Sequence, residues 1–347
     1  MKQRELGRTG ISVSELCLGT MTFGTQTSEA DSHAQMDMAL AHGVQFWDCA
    51  EMYPVNPLTK ETQGDAERIL GNWFEKTGRR NEVVLATKHS GAGYKNVRDG
   101  APITAATIPE AIEGSLKRLK TDVIDLYQFH WPNRGSYMFR QNWKFDPSKQ
   151  NRAETLANME ACLEALQREV ERGTIRAFGL SNESAWGTCQ WLAAAERVGG
   201  PRVATVQNEY SLMARLFDTD LAEACALEQV TLLAFSPLAT GLLTGKYQGD
   251  AIPAASRKTL NPTLGGRHQP RAYEAVDAYL AVAAKHGLDP VHMTVAWLQT
   301  RPFPVTALLG ATTQDQLEHG LDAIGLELTA DVVADLDAAH RAHPMPF

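Results

Sequence analysis

A chain of 347 residues with 44% hydrophobic and 21% charged residues has an ordinary globular composition and is long enough for one α/β barrel with insertions. Its formal net charge of −8 argues against a nucleic-acid partner, and no basic run or polybasic amphipathic helix is present to seek a membrane surface. No apolar stretch is long enough to span a bilayer, and the opening Met-Lys-Gln-Arg-Glu5 lacks the apolar centre of a signal peptide.

Residues 1–14 place Leu6-Gly-Arg-Thr-Gly10 between short polar-apolar segments, which predicts a β-hairpin capping one end of the fold. Glu15-Leu-Cys-Leu-Gly19 starts the main sheet. Ser28-Glu-Ala-Asp31 opens a helix in capping-box fashion, running to about Gly43 with Met36, Ala39 and Leu40 on its apolar face. Val44–Asp48 is an apolar, aromatic strand that ends on a carboxylate, and Tyr53-Pro54 follows in a loop. A helix is predicted from about Asp65 to Thr77, then a strand over Val83–Lys88. A loop rich in Gly, Ala and Thr fills 89–106, a helix runs from Thr107 to near Lys120, and Val123–Phe129 is the next strand.

Residues 131–152 form a long polar and aromatic insertion before the helix Glu154–Arg172. Strands Ile175–Leu180, Val203–Val206 and Val230–Phe235 then alternate with helices Ser184–Val198 and Leu221–Leu227. A second long loop spans 237–270. Helices follow over Arg271–His286 and from Pro290, which Asp289 caps; Val305–Leu309 is the last strand, and helices Thr313–Ala323 and Ala330–His340 close the chain.

Eight short apolar strands separated by helices require parallel pairing, and none alternates cleanly between polar and apolar. The expected fold is a single (β/α)₈ TIM barrel over 1–347, with an N-terminal capping hairpin and extra C-terminal helices. An open doubly wound sheet would predict a Gly-x-Gly-x-x-Gly turn, and there is none. Gly241-Leu-Leu-Thr-Gly-Lys246 imitates a P-loop but is one residue short and lacks the following Ser or Thr. Cys17, Cys49, Cys162, Cys189 and Cys225 are odd in number, widely spaced and without a Cys-x-x-Cys pair. They read as reduced thiols in a cytoplasmic protein, and Cys49 as a packing residue facing away from Asp48.

Barrel chemistry gathers at the C-terminal rim of the strands. That rim carries Asp48 with Tyr53, Lys88, His130, Ser181-Asn182, Gln207-Asn208, Ser236-Pro237 and Gly310-Ala311-Thr312. Singly, such residues are helix caps or solvated side chains; a barrel makes them converge. A lysine beside a phenol lowers its pKa, and an aspartate keeps that lysine charged. Tyr53 would then give a proton to an oxygen gaining negative charge, with His130 orienting the carbonyl. No side chain supplies a hydride, so carbonyl reduction requires a nicotinamide. Ser181, Asn182 and Gln207 suit its carboxamide, and Phe235 offers an aromatic face.

Asp48, Tyr53, Lys88 and His130 on successive strand ends resemble the aldo-keto reductase tetrad. The resemblance extends through Leu6-Gly-Arg-Thr-Gly10, Leu18-Gly-Thr-Met-Thr-Phe-Gly24, Leu116-Lys-Arg-Leu-Lys-Thr-Asp-Val-Ile-Asp-Leu126, Gly179-Leu-Ser-Asn182, Val206-Gln-Asn208, Phe235-Ser-Pro-Leu238 and Gly245-Lys-Tyr247. Ser28-Glu-Ala-Asp31, Ala50-Glu-Met-Tyr-Pro-Val55 and Leu308-Leu-Gly-Ala-Thr-Thr313 resemble its bacterial Tas-like branch. The resemblance implies metal-free, NADP(H)-dependent reduction of a small-molecule aldehyde or ketone. It implies Tyr53 as general acid tuned by Asp48 and Lys88, and His130 on the substrate carbonyl. Ser236, Leu238, Lys246 and Arg257 would follow the cofactor phosphates, and Gly310, Thr312 and Gln316 its adenosine end.

The family usually continues Gln-Leu-x-Glu-Asn at the adenine; here Gln316-Leu-Glu-His-Gly320 carries His319 and Gly320 instead, so the preference between NADPH and NADH stays open. Met21 and Trp131 are expected to shape the substrate site, with the loops at 89–106 and 131–152. Tyr137, Phe139, Trp143 and Phe145 either face substrate or form a patch that pairs subunits as a homo-oligomer. Two other readings stand beside the reductase: a barrel lyase with Lys88 as a Schiff base, and a cofactor-sensing subunit with little turnover, since potassium-channel β-subunits share this fold.

Overall fold

The computed structural model describes residues 1–347. Strands β1 (Gln3–Glu5) and β2 (Ser12–Ser14) form an antiparallel hairpin with Gln3 opposite Ser14. Then β3 (Leu16–Gly19), α1 (Glu29–Ala41), β4 (Phe46–Asp48), α2 (Asp65–Thr77), β5 (Val84–His89) and α3 (Thr107–Leu119) alternate along the chain. The alternation continues with β6 (Ile124–Phe129), α4 (Arg152–Glu171), β7 (Ile175–Ser181), α5 (Ala185–Val198), β8 (Val203–Glu209), α6 (Asp220–Glu228) and β9 (Thr231–Phe235). A short α7 (Arg257–Leu260) lies within the long loop after β9. Helices α8 (Pro270–His286) and α9 (Pro290–Leu298) precede β10 (Val305–Leu309), and α10 (Gln314–Leu321) and α11 (Ala330–Ala342) end the chain.

The eight strands β3 to β10 are all parallel and close, β10 pairing β3, into a barrel. This is the expected (β/α)₈ architecture, with the hairpin in front and α11 packed back on α8. The polar caps anticipated for α1 and α9 are in place, and α5, α10 and α11 have caps of the same kind. Ser28, Ser184, Asp289, Thr313 and Thr329 each accept a backbone N–H in the first turn.

Two apolar layers hold the fold. Inside the barrel, Cys17, Phe46, Ala86, Leu126, Ala177, Ala204, Leu233 and Leu308 pack with Leu6, Ile11 and Val13 of the hairpin, which therefore plugs one end. Gly7 makes that closure possible: its φ is +59°, and a Cβ there would stand 2.6 Å from the Ala204 carbonyl oxygen. Between sheet and helices lies the larger core, including Trp47, Trp73 and Phe74 in mutual aromatic contact. With one end plugged, the opposite rim of the barrel is where polar groups collect.

Three strands run further than their apolar letters suggest. His89 pairs with Phe129, Ser181 with Gln207, and Glu209 with Phe235. The polar strand ends are thus part of the ladder, held by main-chain hydrogen bonds. No helix is long and apolar enough to cross a membrane.

Candidate active site

β4 ends on Asp48 and β5 carries Lys88 near its end, so neighbouring strands bring carboxylate and ammonium together. Lys88 Nζ donates to Asp48 Oδ2 at 2.6 Å, to the Cys49 carbonyl at 2.8 Å and to the Tyr53 hydroxyl at 3.3 Å. Lys88 is fully buried and Asp48 is 2% exposed. Burial opposes the lysine's charge, but Asp48 and Tyr53 outweigh it and hold the pKa above its ordinary value. All three N–H donors of the ammonium are engaged, which argues against a nucleophilic, Schiff-base amine.

Tyr53 lies in the loop after β4, 8% exposed. The expected lowering of its pKa is not what the surroundings produce. Burial raises the phenol's pKa, and Lys88 offsets only part of that rise. Tyr53 is therefore held protonated. His130, just past β6, meets the Tyr53 ring edge-on at 5.7 Å. Burial first and Lys88 second depress its pKa well below normal, so the imidazole is neutral; its Nδ1 is buried without a hydrogen-bond partner.

Sequence reasoning missed Gln128. It is fully buried, and its Nε2 donates to Asp48 Oδ1 at 3.0 Å. Gln207 Nε2 donates to the same oxygen at 2.8 Å and reaches Gln128 Oε1 at 3.3 Å. Asp48 is thus bracketed, one oxygen on Lys88 and the other on two amides. The signal was present: an amide in a buried strand, two residues before His130 and so of the same strand parity.

Gln207 reads differently in consequence. Its amide nitrogen is committed to Asp48, so only Oε1 is free to meet a ligand. Beside it, Ser181 Oγ donates to the Gln207 carbonyl at 2.8 Å. Asn182 Nδ2 donates to Ser181 Oγ at 3.1 Å and to the His130 carbonyl at 2.9 Å, leaving Asn182 Oδ1 buried and without a partner. Phe235, at the end of β9, packs on the interior core of the barrel.

A second missed group fixes the loops. Glu51, 4% exposed, accepts both Arg98 Nη1 and Nη2 at 2.6 Å and the Ser90 amide at 2.5 Å. Burial works to raise its pKa, but Arg98 and His89 outweigh that and hold it below the usual carboxylate value. The clamp ties the Tyr53 loop to the 89–106 loop. Trp131 adds a further tie: its indole N–H donates to the Ala92 carbonyl at 3.0 Å, and a Cβ on Gly91 would stand 2.4 Å from the indole. Met21 lies two residues past β3, its carbonyl accepting the Val55 amide at 3.1 Å.

The loop after β9 supplies cations. Ser236 and Leu238 lead into Ala239, Thr240 and Gly241, which have φ of +48°, +58° and +93°. Lys246 is exposed, its ammonium over the Tyr247 ring at 5.3 Å. Arg257 is half-buried and makes no ion pair; burial and the neighbouring Arg267 draw its pKa down to about 10. The hydroxyls of Ser256, next to it, and of Tyr247, close enough to influence it, are buried without partners. Glu209 at the end of β8 accepts Arg267 Nε and Arg140 Nη1, both at 2.8 Å, so the 131–152 and 237–270 loops meet above the rim.

At the last strand end, Gly310 faces Gly19, and Thr312 donates through N and Oγ1 to Gln316 Oε1 at 3.2 and 3.0 Å. His319 turns away toward Asp289, with Nε2 3.1 Å from Oδ2. A Cβ at Gly320 would stand 2.5 Å from Leu309 Cδ2, so a larger residue there requires the Leu309 side chain to shift.

In the 131–152 insertion, Phe139 and Trp143 are exposed, while Tyr137 and Phe145 meet edge-on at 6.3 Å. All five cysteines are free thiols, and only Cys189 is exposed.

The family model described as "Aldo/keto reductase family" matches residues 15–341. The chain is 42% identical to Protein tas of Escherichia coli, over 100% of this chain and 99% of that protein. It is 31% identical to an uncharacterized oxidoreductase of Bacillus subtilis, over 97% of this chain and 95% of the other. It is 29% identical to a probable voltage-gated potassium channel subunit beta of Oryza sativa, over 99% and 98% of the two chains.

Proposed function

The chain belongs to the aldo/keto reductase family, and on that premise we propose that it reduces aldehydes or ketones to alcohols with NADPH. The observation that carries this reading is the single ammonium shared by Asp48 and Tyr53 in a closed, water-poor rim.

The side chains fit a nicotinamide dinucleotide. A carboxamide offers two N–H donors, and Asn182 Oδ1 and Gln207 Oε1 are the acceptors left open for them. Phe235 gives the ring an apolar face. Arg257 lacks an anionic partner, and Ser256 and Tyr247 carry unpaired hydroxyls, as a phosphate-binding stretch requires. Lys246 adds a second cation for a 2′-phosphate, which favours NADPH over NADH. Backbone and side chains of Ser236, Leu238, Gly310, Thr312 and Gln316 complete the assigned cofactor surface. When bound, the cofactor supplies the hydride.

The chain's own residues handle the proton. Neutral His130 offers an N–H to the substrate carbonyl and orients it beside Tyr53. Tyr53 gives its proton to the carbonyl oxygen as charge develops there. The phenolate left behind lies against the Lys88 ammonium, which Asp48 holds in place. The raised pKa of the resting phenol suits this order, because the donor stays loaded until reaction. The substrate is proposed to lie over His130 and Tyr53, with Trp131 and Met21 as its proposed borders.

The test is a binding titration of the full chain with NADPH and NADH, then an aldehyde and ketone panel followed by cofactor oxidation. Tight NADPH binding with turnover supports the proposal. Binding with negligible turnover across the panel favours the sensor reading that the potassium-channel relative suggests. No binding of either dinucleotide removes both.

A further inference from the structure

The capped first turn of α9 and the last turn of α10 bring together three metal-ligating side chains that the proposed reductase chemistry does not use. One ring nitrogen each of His292 and His319 and one oxygen of Asp289 all lie within 4.8 Å of one another. We propose that Asp289, His292 and His319 form a binding site for a borderline transition-metal cation of the Zn²⁺ class.

The donor set is the first argument. Two imidazoles and a carboxylate suit Zn²⁺, Co²⁺ or Ni²⁺, and a three-residue set leaves a fourth position for water. Separation is the second. His319 Nε2 stands 3.1 Å from Asp289 Oδ2, near the roughly 3.3 Å between neighbouring ligands of a tetrahedron with bonds of about 2.0–2.1 Å.

Outer support is the third argument, and it separates this cluster from a plain His–Asp pair. Ligating groups are oriented by hydrogen bonds on their far sides. Asp289 Oδ1 accepts the amides of Val291 and His292 at 2.8 and 3.1 Å, which fixes the carboxylate and turns Oδ2 outward. His292 Nε2 bonds to the His319 carbonyl at 2.8 Å. A carbonyl can only accept, so that nitrogen carries the proton and Nδ1 keeps the lone pair. The two imidazoles meet edge-on with centroids 4.9 Å apart. His319 is 48% exposed and Asp289 35%, so an ion has a direct way in from solvent.

The sequence context adds one point. His319 stands where the family's pattern carries Glu, one helical turn after Gln316. A cation held here would fasten α9 to α10 behind the assigned adenosine end, without contact to Tyr53, Lys88 or His130.

The experiment uses the full chain, stripped with a chelator and desalted. Zn²⁺ is titrated calorimetrically, and Co²⁺ is added separately as a visible-absorption probe. The expected result is one Zn²⁺ per chain, a tetrahedral Co²⁺ spectrum, and affinity lowered by roughly 10-fold or more in both His292→Ala and His319→Ala. Cys189→Ser, which removes the exposed thiol, is expected to bind as the parent does. Absence of saturable Zn²⁺ binding overturns the site. So does unchanged affinity in both histidine variants, or a signal that disappears with Cys189→Ser. Circular dichroism and NADPH binding of the metal-free variants show that they are folded, so loss of metal binding is read at the site itself.

Discussion

The Lys88 ammonium stands 3.3 Å from the Tyr53 hydroxyl and 4.7 Å from the centroid of the same ring. One cation therefore acts on the phenol through its oxygen and through its π face. Burial raises the phenol's pKa more than Lys88 lowers it, so the resting group is a loaded acid. Tyr53→Phe keeps the ring and removes only the proton donor. It is expected to retain NADPH binding, followed by cofactor fluorescence, while turnover of an aldehyde substrate falls by about 10²–10⁴-fold. Turnover equal to the parent's would remove Tyr53 from the chemistry.

Lys88→Met tests the ion pair. With Lys88 fully buried and Asp48 2% exposed, loss of the ammonium leaves a carboxylate held only by the Gln128 and Gln207 amides. Breaking one side of such a pair costs about 3–5 kcal/mol, readable as a lower urea midpoint at unchanged slope. Adding Asp48→Asn removes the stranded charge and should recover part of the loss. Equal stability of Lys88→Met and the parent would contradict this account.

The same residues show what the sequence makes legible. α2 over Asp65–Thr77 and β10 over Val305–Leu309 match their sequence reading residue for residue, because an apolar period bounded by turn residues carries both ends. Asp48, Lys88 and His130 were legible as ionisable groups ending apolar strands. The strand extensions to Ser181 and Glu209 were not, because polarity marks a loop in sequence while the closed ladder pairs those residues anyway. Glu51 and Arg98 escaped for another reason. They are 47 residues apart, and no local period links two loops that only the barrel brings together. Gln128 escaped because nothing in its own strand shows that the Asp48 carboxylate, 80 residues away in the chain, needs a donor.

Stability should fall in acid over a predictable window. His89 is fully buried, and burial lowers its pKa from 6.5 to about 4. Its neutral form is favoured in the folded state, so its contribution is complete above pH 6.5. It is lost as pH drops through that value toward about 4, because the unfolded chain takes up a proton that the native chain refuses. His130 shifts the same way. Glu51, held below the usual carboxylate value, extends the loss to lower pH as it is protonated. Each histidine adds a slope of about 1.4 kcal/mol per pH unit inside the window. Urea titrations from pH 7 down to pH 4.5 should show that slope, reduced by about one proton in a His89→Gln variant that stays folded. A flat profile would show that these imidazoles are solvated.

The two amides on Asp48 Oδ1 make the sharpest prediction, because they differ in what else they touch. Gln207 has a free Oε1 toward the assigned carboxamide position, whereas Gln128 is enclosed by the barrel and contacts only Asp48 and Gln207 among polar groups. Gln207→Leu should therefore weaken NADPH binding as well as slow turnover. Gln128→Leu should slow turnover with NADPH affinity nearly unchanged, since it loosens Asp48 and through it Lys88. Each single change leaves Oδ1 with one donor, but the double change leaves it with none in a dry interior. Removing a partner from a buried polar group costs about 1–3 kcal/mol. The double variant should then exceed the sum of the singles by about 0.5–3 kcal/mol in urea unfolding. Strict additivity would mean that water replaces the missing amide. Restored turnover in Gln128→Asn, but not in Gln128→Leu, would show that the amide donor itself matters rather than the volume it fills.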